Sequence, residues 1–238
     1  MKLTVAGCSP AWPNAGGAHS GYLLEGAGGR LLLDCGPGVL PKLRQQAAWP
    51  HIDAIAITHF HLDHWGDLVP WVWGSRHGPG RDTEPPQLLV PPGGRTWLAE
   101  IGTRLGFEDM FENSFRLVEY AEGEPIAAAG FELLALRVPH YALAAFGFRV
   151  TAGRRTFAYS GDSGPADALA ELARDADLFV CEATLRDTEP DPRGHLSLDE
   201  AAAAFEASGA RRLLVTHRPQ ELPTVGHEQA FDGMELTV

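Results

Sequence analysis

Thr58 to His64 reads THFHLDH, which packs three imidazoles and a carboxylate into the six residues from His59 to His64, directly after the apolar run Ile52 to Ile57. Histidines at i and i+2 can point the same way from an extended or turning backbone, so His59 and His61 could chelate one ion. Asp63 and His64 follow where the chain would turn into a helix, and could serve a second ion beside the first. Neutral imidazole and carboxylate are borderline and hard ligands, suited to zinc, manganese or iron. The competing explanation, surface histidines gathered by chance, leaves an expensive arrangement without a purpose.

The elements that would hold this segment are short apolar runs, each ending in a polar or glycine-rich corner, with helical stretches between them. Strands are expected at Lys2 to Ala6, Tyr22 to Glu25, Leu31 to Asp34, Ile52 to Thr58, Gln87 to Val90 and Phe115 to Tyr120. A second batch follows at Phe131 to Val138, Phe146 to Val150, Thr156 to Tyr159, Leu178 to Cys181 and Leu213 to Thr216. Helices are expected at Pro41 to Ala48, Ala166 to Arg174 and Leu198 to Ala207. Ser197 stands three residues before Glu200 as a capping box requires, and Ser163, Gly164 and Pro165 look like another helix start. Gly74 to Pro86, rich in Gly, Pro and charge, has the character of a mobile loop. Two batches of strands with helices outside them suggest an α/β four-layer sandwich, although periodicity alone leaves other α/β or α+β folds open.

With 238 residues and no linker-like stretch, residues 1–238 are expected to form one domain. The longest apolar runs are strand-length, so no membrane span is expected, and the start MKLTVAG lacks the apolar region of a secretory signal. The expected compartment is therefore cytoplasmic. Cys8, Cys35 and Cys181 are odd in number and lack CxxC spacing, which argues against a disulfide framework and for small buried hydrophobes. A net charge of −12 argues against a surface built to hold polyanions. Divalent ions would offset that charge locally, so a phosphodiester gripped at a metal site stays within reach.

HFHLDH matches the HxHxDH signature of the metallo-β-lactamase superfamily at every fixed position, and the chain resembles that family over nearly its whole length. The resemblance implies the αββα fold and places the remaining ligands at the ends of later core strands. His140 after LLALRVP, Asp162 after TFAYSG and His217 after RRLLVT stand in those places. It assigns His59, His61 and His140 to one ion and Asp63, His64 and His217 to the other, with Asp162 bridging. A bridging carboxylate favours two close divalent ions, expected to be zinc with manganese or iron as alternatives, sharing one hydroxide as nucleophile. Asp34, in LLLDCGPG, is either a turn residue or, by the resemblance, a carboxylate that orients the metal-binding loop.

His195 in RGHLSLDEA, with CEATL and LLVTH, resembles the ribonuclease Z branch. There such a histidine faces the metals and would protonate the leaving oxygen or steady the phosphoryl oxygens. Glu182 would hydrogen-bond to it. Asp63 and His195 are the expected catalytic residues. Ribonuclease Z proper carries a basic, Gly- and Pro-rich arm that grips tRNA, and no comparable insertion is evident. The expected reaction is therefore cleavage of small phosphodiesters, cyclic nucleotides foremost, with RNA open but not favoured and a homodimer left open. The rivals are tRNA 3′ processing, thioester or lactam hydrolysis, and a metal-binding carrier on the same fold.

Overall fold

The computed structural model describes every residue except Ala27, Ala47 and Asp191. Ala47 falls inside the expected helix Pro41 to Ala48, so that part of the expectation lies outside the described residues. The described residues form two seven-stranded sheets with helices on their outer faces.

The first sheet is built from β1 (Lys2–Gly7), β2 (Gly21–Gly26), β3 (Gly29–Leu33), β4 (Ala54–Ala56), β5 (Gln87–Val90), β6 (Arg116–Glu119) and the late strand β14 (Glu235–Thr237), in the order β14-β1-β2-β3-β4-β5-β6. The second has the order β13-β12-β11-β10-β9-β8-β7. Its strands are β7 (Ile126–Ala128), β8 (Phe131–His140), β9 (Leu143–Ala152), β10 (Arg155–Tyr159), β11 (Leu178–Glu182), β12 (Leu213–Thr216) and β13 (Glu228–Gln229).

Alternation along the strands builds the layers, because successive side chains face opposite sides of a sheet. Leu31, Leu33, Ala54 and Ala56 meet Phe157, Tyr159, Leu178 and Val180 in a core between the sheets. Leu32, Ile55, Leu88 and Val90 point the other way, under α1 (Val39–Gln45), α3 (Leu68–His77) and α4 (Gly94–Arg104). Phe179, Cys181, Leu213 and Val215 likewise face α5 (Asp167–Leu172) and α6 (Leu198–Ser208). The result is the four-layer αββα sandwich.

Several details differ from the sequence reading. Helices α3 and α4 were hidden by Pro70 and by the glycines around them. Pro70 sits in the first turn of α3, where its missing N–H leaves no bond unmade. Gly74 is required because a Cβ there would lie 2.9 Å from the Trp49 ring. The expected loop Gly74 to Pro86 thus begins inside a helix, and none of its residues lines the main cavity. Helix α5 starts at Asp167 without a side-chain cap; the Ser163 backbone N–H instead donates to Glu182 Oε1 at 3.1 Å. The capping box at Ser197 and Glu200 is present as expected. All three cysteines are buried and free. Among the described residues no helix is long and apolar enough to cross a membrane.

Candidate metal centre and its cavity

Strands β3, β4 and β5 run parallel in one sheet and β10, β11 and β12 in the other, so their carboxyl ends gather groups along one edge of the sandwich. Asp34 follows β3, the segment from His59 follows β4, His140 ends β8, Asp162 follows β10, Glu182 ends β11 and His217 follows β12. His61 is the N-cap of the one-turn helix α2 (Leu62–Trp65), which carries Asp63 and His64. Phe60, between the two imidazoles, turns away to stack on Trp97 at 4.3 Å.

The structure brings all seven expected ligands together. Ligand atoms of His59, His61 and His140 lie within 4.8 Å of one another, as do those of Asp63, His64, Asp162 and His217. Asp162 Oδ2 stands between the groups, 3.9 Å from His59 Nε2, 3.8 Å from His140 Nε2, 3.2 Å from His64 Nε2 and 3.6 Å from His217 Nε2. A bridging oxygen needs that position.

The ring orientations are set from behind. His64 Nδ1 donates to Asp34 Oδ2 at 2.7 Å and His140 Nδ1 to the Gly194 carbonyl at 2.6 Å. His217 Nδ1 meets Thr184 Oγ1 at 2.8 Å and His59 Nδ1 meets Thr58 Oγ1 at 3.1 Å. Each bond leaves Nε2 free to offer a lone pair inward, the arrangement that metal-binding histidines use. Asp34, a residue with a left-handed φ of 59°, also accepts from the Thr58 N–H and hydroxyl and from Tyr159 Oη. It is therefore more than a turn residue.

The donor set fits divalent cations. His61 Nδ1 lies 3.2 Å from His59 Nε2 and 2.8 Å from His140 Nε2, so three ring nitrogens crowd one point. His64 Nε2 and Asp162 Oδ1 are buried without a hydrogen-bond partner, which is costly unless an ion satisfies them. Burial, then the neighbouring His64, holds His59 well below the usual histidine range; burial likewise pulls His140 down to about 4. Both are neutral near pH 7, as ligands must be. Burial also opposes charge on His64, but Asp162 and Asp34 outweigh it and raise that ring well above its ordinary value. A proton there does what a bound cation would do better. Asp162 stays well below the usual carboxylate range despite burial, because His217 and His64 favour its charge.

His195 faces this centre from the loop before α6. Its Nδ1 donates to Glu182 Oε1 at 2.8 Å, and one of its ring nitrogens lies within 4.8 Å of ligand atoms of His140 and Asp162. Burial alone would lower its pKa, but the Glu182 carboxylate raises it to about 9. Thr184 ties the parts together by donating to Glu182 Oε2 while contacting His217. His61, Asp63, Asp162, Thr184, His195 and His217 line a cavity of about 870 Å³, with the other groups behind them.

A sequence model described as the beta-lactamase superfamily domain matches residues 29–218. The chain belongs to the β-lactamase superfamily. The probable metallo-hydrolase YhfI of Bacillus subtilis (strain 168) is 31% identical over 224 residues, covering 92% of this chain and 87% of its own. The crystal structure of the metallo-β-lactamase fold protein YhfI aligns over 99% of both chains with a TM-score of 0.84 at 25% identity. A ribonuclease Z of Myxococcus xanthus (strain DK1622) is 28% identical over 304 residues, 99% of this chain and 97% of that one. Human tRNase Z, short form, aligns over 100% of this chain and 99% of its own with a TM-score of 0.80 at 25% identity. The chain is a metallo-hydrolase of this superfamily.

Sequence reasoning missed part of the cavity. His19 lines it with Nδ1 held 2.8 Å from the Pro10 carbonyl. Trp12, Tyr141 and Arg186 also line it. The signal available was position: Tyr141 directly follows His140, and Arg186 directly follows CEATL.

Proposed function

We propose that the chain is a dinuclear metal-dependent phosphodiesterase acting on small phosphodiesters, with cyclic nucleotides foremost. The observation that carries this reading is the His195–Glu182 pair, set across from the His/Asp clusters on the same cavity. Hydrolysis of a phosphodiester breaks one P–O bond, and the departing oxygen needs a proton. With Nδ1 engaged by a carboxylate, His195 keeps its proton at Nε2 for that oxygen, and Glu182 stabilises the charged ring until transfer. The seven clustered residues would hold two divalent ions, zinc by the nature of the donors, and these would supply Lewis acidity and an activated water. Asp162 would fix their spacing, and Asp34, Thr58 and Thr184 keep the imidazoles aimed.

Small substrates are favoured over RNA by the cavity lining. Among the described residues Arg186 is the only Lys or Arg that lines it, and the net charge is −12. Extended RNA is gripped through many phosphates, each needing a cation. The Myxococcus ribonuclease Z alignment runs over 304 positions against 238 residues here, so that relative has segments without counterpart in this chain. Ribonuclease Z activity is the second reading, favoured by the names of that relative and of the human structure.

The test is metal analysis joined to a turnover screen over bis-p-nitrophenyl phosphate, cyclic nucleotides, a tRNA precursor, a lactam and an acyl-glutathione. Close to two ions per chain with turnover of the phosphodiesters is the expected result. Turnover of the lactam or thioester alone would refute it, and metal binding without any turnover would restore a carrier role.

A further inference from the structure

Seven large apolar side chains are exposed among the described residues, and three of them line the same cavity: Trp12 at 53%, Leu62 at 62% and Tyr141 at 66% exposure. They come from three separate places, the connection between β1 and β2, the first residue of α2, and the turn between β8 and β9. Scattered exposed apolar residues mean little, but convergence on a cavity that also holds the polar groups marks a ligand surface.

Tyr141 is the most telling of them. It begins the two-residue turn closed by the His140 and Leu143 pair, with a φ of 47°. That left-handed conformation suits Gly, Asn or Asp, and a bulky residue there is strained. Its ring nevertheless lies 4.9 Å from His140, 5.8 Å from His195 and 6.4 Å from His61. Gly194 leaves the room for it, since a Cβ there would come within 2.5 Å of the tyrosine ring. The fold thus accepts backbone strain and a bare glycine in order to stand an exposed aromatic ring beside the metal centre. A residue serving only the turn would not need that.

We infer that Trp12, Tyr141 and Leu62 form a subsite for the nucleobase of the substrate, next to the phosphate position at the His/Asp clusters. This deepens the phosphodiester reading and rests on it: a cyclic nucleotide is a small phosphodiester that carries a flat ring with stackable faces and polar edges beside its phosphate. Trp and Tyr offer flat faces on which any base stacks, and Leu62 supplies an aliphatic side to the same cavity. Arg186, exposed on the same lining, supplies donors for ring nitrogens or carbonyls.

The experiment is calorimetric binding of 5′-AMP and of ribose 5-phosphate, which share a phosphate and sugar, to the zinc-loaded protein. Stacking on aromatic side chains should make 5′-AMP bind about 5- to 150-fold more tightly. Trp12→Ala and Tyr141→Gly should each draw that ratio towards one, whereas Leu105→Ala, an exposed apolar change away from the cavity, should preserve it. Tyr141→Gly also relieves the left-handed strain, so a thermal melt no lower than the parent's separates lost stacking from lost folding. Equal affinities in the parent protein, or a full ratio in both cavity variants, would overturn the subsite. A large ratio that the cavity variants abolish, in a protein that hydrolyses no phosphodiester, would keep the subsite and refute the catalytic reading instead.

Discussion

The floor of the cavity and its rim are built on opposite terms. On and just beneath the floor, His59, His64, His140, Asp162 and His217 are almost wholly buried, and the Nδ1 atom of every histidine among them has a partner. At the rim, Trp12, Leu62 and Tyr141 are more than half exposed and stand on turns or at a helix start. The floor sits at strand ends, where position is set by the whole sheet. The rim sits on connections, which can change without disturbing the sheets. On the proposed function, chemistry belongs to the part fixed by the sheets and substrate selection to the part carried on connections.

The largest effect is expected at the floor. Asp162→Ala should lower the metal content from close to two ions per chain and abolish turnover, because its Oδ2 stands between both ligand groups. Mass spectrometry under native conditions reads the stoichiometry; full activity with one ion would break the two-metal account. His195→Ala should retain its metal and lose roughly 10²–10⁴ in kcat. The loss should shrink for a nitrophenolate leaving group, which departs without a proton. Equal losses for alkoxide and nitrophenolate would move His195 from the leaving oxygen to the phosphoryl oxygens.

Smaller effects are expected one layer out. Asp34→Asn weakens the hold on His64 Nδ1, and metal affinity should fall about 10- to 100-fold, measured by competition with a chelator. Glu182→Gln should mainly move a pH profile. Glu182 raises His195 to about 9, so activity that needs the protonated ring is present below that value and lost as pH rises through it. Without the carboxylate, burial acts unopposed by it and the alkaline limb should shift to lower pH. Bound cations act on both proteins alike, so an unmoved limb would show that His195 is not the titrating acid.

The same division explains what the sequence made legible. The floor could be read because its residues are chemically distinctive and follow short continuous apolar runs, such as Leu31 to Leu33 and Phe157 to Tyr159, which the structure buries on both faces. Asp34 and Glu182 were readable as partners only with the family resemblance, since a buried carboxylate and a turn carboxylate look alike in one dimension. Helices α3 and α4 escaped because Gly74, Gly94 and Gly102 read as breakers, whereas the structure needs them for close packing against Trp49, Val90 and the Phe107 carbonyl. Strands β13 and β14 escaped because two or three residues carry no period. The rim escaped for a different reason: an exposed Trp, Leu or Tyr has no pattern until the fold brings three of them to one cavity.

The central claim is that a small phosphodiester is cleaved at this centre without an extended grip on RNA. Its most direct test compares kcat/KM for cyclic AMP and for a 3′-extended tRNA, each at low and at physiological salt. The account predicts that cyclic AMP is the better substrate at both and loses little as salt rises, because a few ions and a pocket hold it. Binding of tRNA through many phosphates would instead fall steeply with salt. Accurate 3′ processing of tRNA at physiological salt, with negligible turnover of cyclic AMP, would contradict the account.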